Sequence, residues 1–262
     1  MKMPKIVSAL LLSFAMSGGA VAQESDNASK PTVVLVHGAF ADGSSWNGVV
    51  RRLQEKGYRV VAAANPLRGV ASDGAAVASV VKSIPGPVVL VGHSYGGPVI
   101  TVAATDSGNV KALVYVSAFA PEAGETSLSL TGKFPGSTLG DTLSPPVALH
   151  DGRHDLYIDQ AKFPKQFVAD VPLDAAKLMA AEQRPVTQEA LAEASGEPSW
   201  KHLPTWWIYG SADRNIPPEA MAFMAKRAKA RKTVVVEGAS HVVMVSHPEA
   251  VAGLILEAAS AK

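Results

Sequence analysis

The feature that most constrains the fold of this chain is a set of short runs that are apolar at almost every position. Such runs are typical of parallel strands covered on both faces, whereas a strand with one wet face alternates apolar and polar residues. The six runs are Thr32–His37, Arg59–Ala64, Pro87–Gly92, Val110–Ser117, Thr205–Gly210 and Lys232–Gly238. They predict the strands of one sheet that is buried between two layers of helices.

Segments with the helical spacing of apolar residues lie between these runs. In the first of them, Trp46, Val49 and Leu53 fall on one stripe of a helix. The predicted helices are Ser45–Lys56, Asp73–Ile84, Tyr95–Thr105, Pro218–Ala230 and Pro248–Ala259. The alternation of strand and helix predicts an α/β fold with a mostly parallel, doubly wound sheet. A chain of 262 residues with 47% hydrophobic content is large enough to build it around a single core.

Residues 121–203 interrupt this alternation. The segment begins rich in proline and glycine, contains no convincing strand and becomes helical at Leu173–Gln183 and Thr187–Ser195. A structureless loop of that length is improbable in a compact domain. We therefore predict a mostly helical cap inserted between the two core segments, residues 31–120 and 204–262.

The first 22 residues have the organisation of a signal peptide. Lys2 and Lys5 precede the apolar run Ile6–Met16, and small residues allow cleavage after Ala22. The apolar run is too short to span a bilayer comfortably. We expect a mature domain of residues 23–262 that is secreted or periplasmic and not stably inserted in a membrane, with an uncleaved anchor as the alternative.

Composition excludes several classes of function. The chain has 24 basic and 23 acidic side chains, so no basic excess suggests a nucleic-acid partner. It has no cysteine, which excludes disulfides, thiol chemistry and cysteine-ligated metals. Neither a metal nor another cofactor is expected. The sequence is compatible with a monomer or a homodimer.

The stretch Gly92–Gly97, which reads GHSYGG, lies directly after a predicted strand and before a predicted helix. The pattern G-x-S-x-G in this setting predicts a nucleophile elbow, a strained turn that lifts a serine hydroxyl above the end of a sheet. The free N–H groups of the following helix favour negative charge there. Ser94 is the candidate nucleophile, and a tight turn without chemistry is the alternative.

A serine nucleophile requires a base, and the base requires an acid that orients it. Asp213 follows the run that ends at Gly210, and His241 follows the last run at Gly238. The order serine, acid, histidine is that of a triad built on loops after successive strands. We predict Asp213 as the orienting acid and His241 as the base.

The third element of such a site is an oxyanion hole. The stretch Val36–Phe40, which reads VHGAF, follows the first predicted strand, and Gly38 allows its backbone to turn toward the nucleophile. We predict the backbone N–H groups of Ala39 and Tyr95 as the two donors, with Phe40 as the alternative to Ala39. His37 is interpreted as a structural support of this loop.

Three stretches carry a resemblance to a known family: VHGAFADGSSW, GHSYGG and GASHVVMVSHPE. They resemble the α/β-hydrolase superfamily over nearly all of the chain after the signal segment. They are most similar to the branch that contains plant methyl esterases, salicylate-binding esterases and hydroxynitrile lyases, together with small bacterial esterases. The resemblance implies a cofactor-free hydrolase with a helical cap over an apolar pocket. It implies Ser94 as nucleophile, His241 as base and then acid, and Asp213 as the orienting group.

Two positions depart from the lyases of this branch. In those lyases a threonine follows the histidine of the first motif, and a lysine follows the catalytic histidine. Here the two places are taken by Gly38 and Val242. Because the hydroxyl and the ammonium group that would handle a cyanohydrin are both missing, the sequence favours hydrolysis.

Side chains next to the catalytic positions are candidates for the substrate pocket. They are Phe40, Phe119, Ile216 and Val242, with Tyr157, Ile158 and Phe163 as a possible roof in the cap. Their apolar character predicts a serine hydrolase for small, uncharged carboxylic esters that works through an acyl-enzyme. The alternatives are a cofactor-free perhydrolase with peroxide as acceptor, and a receptor-like protein that binds a ligand and turns it over slowly.

Overall fold

The computed structural model describes residues 30–261. Their centre is a parallel sheet of six strands in the order β2-β1-β3-β4-β8-β9. The strands are β1 (Thr32–Val36), β2 (Val60–Ala63), β3 (Val88–His93), β4 (Val110–Val116), β8 (Thr205–Gly210) and β9 (Lys232–Val236). Every residue of β1, β3 and β8 is buried. The predicted fold class is therefore confirmed, because strands covered on both faces have to be apolar throughout.

Helices follow the strands as the sequence predicts. The helices of the core are α1 (Asn47–Glu55), α2 (Val70–Lys82), α3 (Gly96–Thr105), α8 (Pro218–Arg227), α9 (Val243–Ser246) and α10 (Pro248–Ser260). Helix α1 packs against α10, and α2 packs against α3. Helix α9, a single turn, has no counterpart in the prediction because four residues are too few to show a helical period.

The segment between β4 and β8 is only partly helical. Its helices are α4 (Ser127–Lys133), α5 (Phe163–Phe167), α6 (Leu173–Glu182) and α7 (Gln188–Ala192), with 3-10 turns at Gly140–Thr142 and Ser199–Lys201. The segment also contains β5 (Val147–Ala148), β6 (His154–Leu156) and β7 (Val186–Thr187), which form an antiparallel sheet. The sequence showed no convincing strand here, so this small sheet adds to the mostly helical cap that was predicted. Strands of two or three residues are too short to leave a period in the sequence.

The strand register brings distant loops to one edge of the large sheet. Val36 in β1 pairs with Gly92 in β3, and Gly210 in β8 pairs with Val236 in β9. Because all six strands are parallel, their carboxyl ends share this edge. The loops that carry Ser94, Asp213 and His241 all leave the sheet there.

No helix within residues 30–261 is long and apolar enough to cross a membrane. The predicted signal peptide lies outside the described residues. The same described part of the chain contains no group of three or more His, Cys, Asp or Glu side chains placed to hold a metal ion.

Candidate active site

Ser94 lies in a strained turn between β3 and α3. Its φ of 53° falls in the left-handed region, which non-glycine residues rarely adopt. A Cβ atom at Gly92 would lie 2.5 Å from the Gly96 carbonyl oxygen, and one at Gly97 would lie 2.0 Å from that of Phe119. Only glycine fits at these two positions, so the chain can turn sharply and present the Ser94 side chain at the end of the strand.

Asp213 and His241 form a buried, hydrogen-bonded pair. His241 Nδ1 donates to Asp213 Oδ2 over 2.7 Å. The other carboxylate oxygen of Asp213 accepts the N–H groups of Asn215 and Ile216 at 2.8 and 3.0 Å. With its proton on Nδ1, the imidazole keeps Nε2 as an acceptor. Nε2 has no hydrogen-bond partner within residues 30–261.

Ser94 and His241 line the same cavity. The Ser94 hydroxyl forms no hydrogen bond with His241 Nε2 in this structure. In unliganded sites the bond between nucleophile and base is often long, and it tightens when a substrate binds. The structure thus brings the three predicted residues to one place, with the Asp–His half of the arrangement already hydrogen-bonded.

The backbone around the cavity distinguishes between the candidate oxyanion donors. Phe40 N–H donates to the carbonyl of Arg184 in the cap over 2.9 Å, and Phe40 has a φ of 58°. In the described part of the chain the N–H groups of Ala39 and Tyr95 have no acceptor, and both residues line the cavity. The Phe40 N–H is therefore used by the cap, which leaves Ala39 as the candidate donor on this loop.

Gly38 lets the loop after β1 approach Ser94. A Cβ atom at this position would lie 2.6 Å from Ser94 Cβ and 2.7 Å from the His93 carbonyl oxygen. Real Cβ atoms do not approach other atoms this closely, so the backbone that carries Ala39 can lie beside Ser94 only if residue 38 is glycine.

Two further buried histidines support the site as neutral groups. His37 Nδ1 donates to the Gly38 carbonyl over 2.9 Å, and its Nε2 accepts the Asn65 N–H. His93 Nε2 donates to the His241 carbonyl over 3.2 Å. Burial lowers the pKa of His37 and lowers the pKa of His93 well below its ordinary value. Burial thus disfavours the charged form of both imidazoles, and their hydrogen bonds orient backbone next to Ser94 and His241.

The cavity has a volume of about 510 Å³ and a largely apolar wall. None of its lining residues is Asp, Glu, Lys or Arg. Among the predicted pocket residues, Phe40, Phe119 and Ile216 line it. Val242 does not, because its side chain packs in the hydrophobic core directly before α9. The predicted roof residues Tyr157, Ile158 and Phe163 also lie outside the lining.

The wall on the cap side comes from residues that the sequence did not single out. They are Leu128, Thr131, Phe134, Leu139, Leu143, Leu156, Phe167 and Leu191. In the sequence they are indistinguishable from residues of an ordinary helical core. Arg184 was also missed, since its contribution to the site is a backbone carbonyl and carries no signal in the sequence.

The fold and this site define an α/β hydrolase. The sequence pattern of the alpha/beta hydrolase family matches residues 33–254, so the chain belongs to this family. The expected likeness to the plant esterase and lyase branch is confirmed by the relatives that the chain matches.

Two curated relatives and one solved structure illustrate the likeness. The carbendazim hydrolyzing esterase of Nocardioides sp. (strain SG-4G) is 33% identical over 113 residues, which are 38% of this chain and 47% of that protein. The alpha-hydroxynitrile lyase of Arabidopsis thaliana is 26% identical over 240 residues, or 82% of this chain and 92% of that protein. The crystal structure of polyneuridine aldehyde esterase superposes with a TM-score of 0.76 at 21% identity, over 87% of this chain and 98% of that one.

Proposed function

We propose that this protein is a serine hydrolase that cleaves uncharged carboxylic esters through an acyl-enzyme intermediate. The observation that carries the proposal is the buried bond between Asp213 and His241, with His241 Nε2 left as an acceptor in the cavity that Ser94 lines. Esterase-type relatives support hydrolysis as the class of reaction.

In the first half of the reaction, His241 Nε2 takes the proton of the Ser94 hydroxyl while Oγ attacks the ester carbonyl carbon. The carbonyl oxygen becomes an oxyanion and accepts hydrogen bonds from the N–H groups of Ala39 and Tyr95. Asp213 stabilises the imidazolium that has formed. His241 then gives its proton to the alcohol oxygen as the C–O bond breaks, which leaves Ser94 acylated.

In the second half, a water molecule takes the place of the alcohol. His241 removes a proton from the water as its oxygen attacks the acyl carbon, and the same two N–H groups hold the new oxyanion. When this intermediate collapses, the bond to Ser94 Oγ breaks and His241 returns the proton to the serine. The carboxylic acid is released and the enzyme is restored.

The wall of the cavity determines the substrate class. It has no charged side chain to pair with a carboxylate or an ammonium group, and burying such a group unpaired is costly. A volume of about 510 Å³ lies within the ordinary range of pockets for drug-sized ligands. The substrate is therefore an uncharged, apolar ester. The cavity has room for esters that are larger than those of short-chain acids.

Cyanohydrin cleavage, the activity in the name of the Arabidopsis relative, is not assigned to this chain. Gly38 carries no hydroxyl, and Val242 carries no ammonium group and lies outside the cavity. No lysine lines the cavity to hold cyanide. Hydrolysis needs neither group.

The decisive experiment reacts the purified protein with a fluorophosphonate probe and follows acid release from a panel of uncharged esters. In Ser94→Ala both labelling and turnover are expected to vanish, with kcat lower by on the order of 10⁵–10⁶. Ser107→Ala is the matched control, because it removes another buried serine hydroxyl that does not line the cavity. Loss of turnover in the control, or full turnover in Ser94→Ala, would overturn the proposal.

The same experiment separates the two alternative functions. Strong labelling with ester turnover only when peroxide is supplied, and with peracid as the product, would identify a perhydrolase. Labelling with tight ligand binding and negligible turnover would identify a receptor-like protein. A folded wild type that does not label would mean that the elbow is only a turn.

Export is a separate proposal that rests on the first 22 residues. The protein is secreted or periplasmic, and its mature chain begins at Gln23. The intact mass of protein recovered from the periplasmic or culture fraction tests this. A mass that includes residues 1–22 would contradict it.

A further inference from the structure

Asp73 is a fully buried carboxylate that the proposed mechanism does not use. It lies in the first turn of α2, on the same face as Val77 and Val81, and is 0% exposed. The spacing of four residues places this acid at the head of an apolar stripe. A buried carboxylate is costly unless hydrogen bonds compensate for the lost water, so its partners indicate what it is for.

The strongest side-chain partner of Asp73 is the residue that follows the nucleophile. Tyr95 Oη donates to Asp73 Oδ2 over 2.9 Å, and both groups are buried. The backbone N–H of Arg68 donates to the same carboxylate over 3.0 Å. The Arg68 guanidinium points elsewhere, to Asp155 and to the Pro185 carbonyl. Hydrogen-bond donors thus hold the Asp73 carboxylate in place. One of them, the Tyr95 hydroxyl, belongs to the residue that follows Ser94 in the nucleophile elbow.

The anchored Tyr95 side chain helps to orient the peptide unit between Ser94 and Tyr95. The carbonyl of this unit accepts the N–H groups of Gly97 and Phe119 at 2.9 and 3.3 Å. Its N–H is the Tyr95 donor assigned above to the oxyanion. Two groups of interactions therefore determine the direction of that N–H. One is the pair of hydrogen bonds to the Ser94 carbonyl, and the other is the hydrogen bond from the Tyr95 hydroxyl to Asp73.

The segment that carries Asp73 is also where the cap attaches to the core. The Glu193 carboxylate in the cap accepts the N–H groups of Val70 and Ala71 at 2.6 and 3.1 Å. Arg68 reaches Asp155 in β6, and its carbonyl accepts the Thr187 hydroxyl of β7. Asp73 therefore lies between the cap contacts and the oxyanion donor.

We propose that Asp73 is a positioning residue that orients the Tyr95 N–H toward the oxyanion through the Tyr95 hydroxyl. The inference rests on the proposed function. Asp73 touches no substrate and transfers no proton. Its role is to keep one oxyanion donor aligned when negative charge develops on the substrate oxygen.

The test uses Tyr95→Phe, which removes the hydroxyl and keeps the ring, together with Asp73→Ala, which removes the acceptor, and the double variant. A misaligned donor weakens transition-state binding but leaves ground-state binding intact, so kcat falls by on the order of tenfold at unchanged KM. The inhibition constant of a trifluoromethyl ketone, which forms a tetrahedral oxyanion on Ser94, rises by the same factor. The double variant is no worse than the single ones, since both remove one interaction.

Tyr115→Phe is the matched control. Tyr115 is equally buried, its hydroxyl bonds to Thr101 over 2.8 Å, and it does not line the cavity. It loses a buried hydrogen bond but keeps kcat and inhibitor affinity. If Tyr95→Phe behaves like this control, with a lower Tm alone, Asp73 is merely structural and the inference is wrong. An active wild type that Ser94→Ala inactivates would in that case leave the proposed function standing, whereas a wild type without turnover would refute that function instead.

Discussion

The two walls of the cavity are built in different ways. The core wall consists of the loops after β1, β3, β4, β8 and β9, and specific hydrogen bonds hold it: Asp213 bonds His241, His37 bonds Asn65, and Asp73 behind the wall bonds Tyr95. The cap wall is made mainly of leucine and phenylalanine side chains from short helices, the loops next to them and β6. Chemistry depends on atoms held in one place, whereas an apolar surface needs only shape.

The difference shows how the site divides its tasks. Hydrogen bonds and close glycine contacts hold the groups of the core wall in a single arrangement. A small displacement of these groups should therefore change the rate of the reaction itself. Apolar contacts are non-directional and scale with area, so changes in the cap wall alter which ester fits. Three predictions test this division, beginning with the largest expected effect.

Gly38→Ala should break the core wall. The added Cβ would lie 2.6 Å from Ser94 Cβ, so the loop that carries the Ala39 N–H has to move away. We expect kcat to fall by on the order of 10²–10³, the usual effect of losing one oxyanion donor. Gly43→Ala is the control in the same connection between β1 and α1, at the start of a 3-10 turn where a Cβ meets only Ala62 at 3.9 Å. Full activity in a folded Gly38→Ala protein would show that the core wall tolerates displacement.

Leu128→Ala should reshape the cap wall without touching the chemistry. Leu128 lines the cavity and is 48% exposed, so its loss removes part of the contact with a bulky ester. We expect kcat/KM for the largest esters of the panel to fall about tenfold, with the smallest ester unaffected. Leu178 is 58% exposed on another cap helix and does not line the cavity, so Leu178→Ala should match the wild type. A uniform fall in kcat across the panel would contradict the division.

The pH dependence of stability should show how strongly a buried histidine behind the core wall affects the fold. Burial holds the pKa of His93 well below its ordinary value of 6.5. On acidification the His93 imidazole is therefore protonated in the unfolded chain before it is protonated in the folded chain. The free energy of unfolding should therefore decrease as pH falls from about 6.5, by up to about 1.4 kcal/mol per pH unit for this group.

The check is urea denaturation between pH 5 and 7 for the wild type and His93→Gln. Glutamine keeps an N–H donor for the His241 carbonyl but cannot be protonated. The free energy of unfolding of His93→Gln should therefore depend less steeply on pH, by the equivalent of up to one bound proton. His247→Gln serves as the control, because the His247 side chain is 41% exposed and lies outside the cavity lining. Equal slopes for wild type and His93→Gln would show that the buried core histidine does not limit stability in acid.

The sequence alone was sufficient for the sheet and for the order of the candidate catalytic groups. A strand covered on both faces has to be apolar along its length, and β8 begins and ends at the residues predicted for it. Glycine is required where backbones touch, so the GHSYGG turn was visible as a pattern. Asp213 and His241 could be chosen because each follows a strand, and parallel strands bring the loops at their carboxyl ends to one edge.

Only the tertiary structure decided which groups meet across long stretches of chain. Asp73 and Tyr95 are 22 residues apart, and Phe40 bonds the carbonyl of Arg184 in the cap. Neither contact has a period or a motif, because each depends on how two separately folded segments pack. The same reason explains why Val242, adjacent to His241 in sequence, lies outside the cavity. Local patterns determine the elements and their order, and packing determines which of their side chains share a wall.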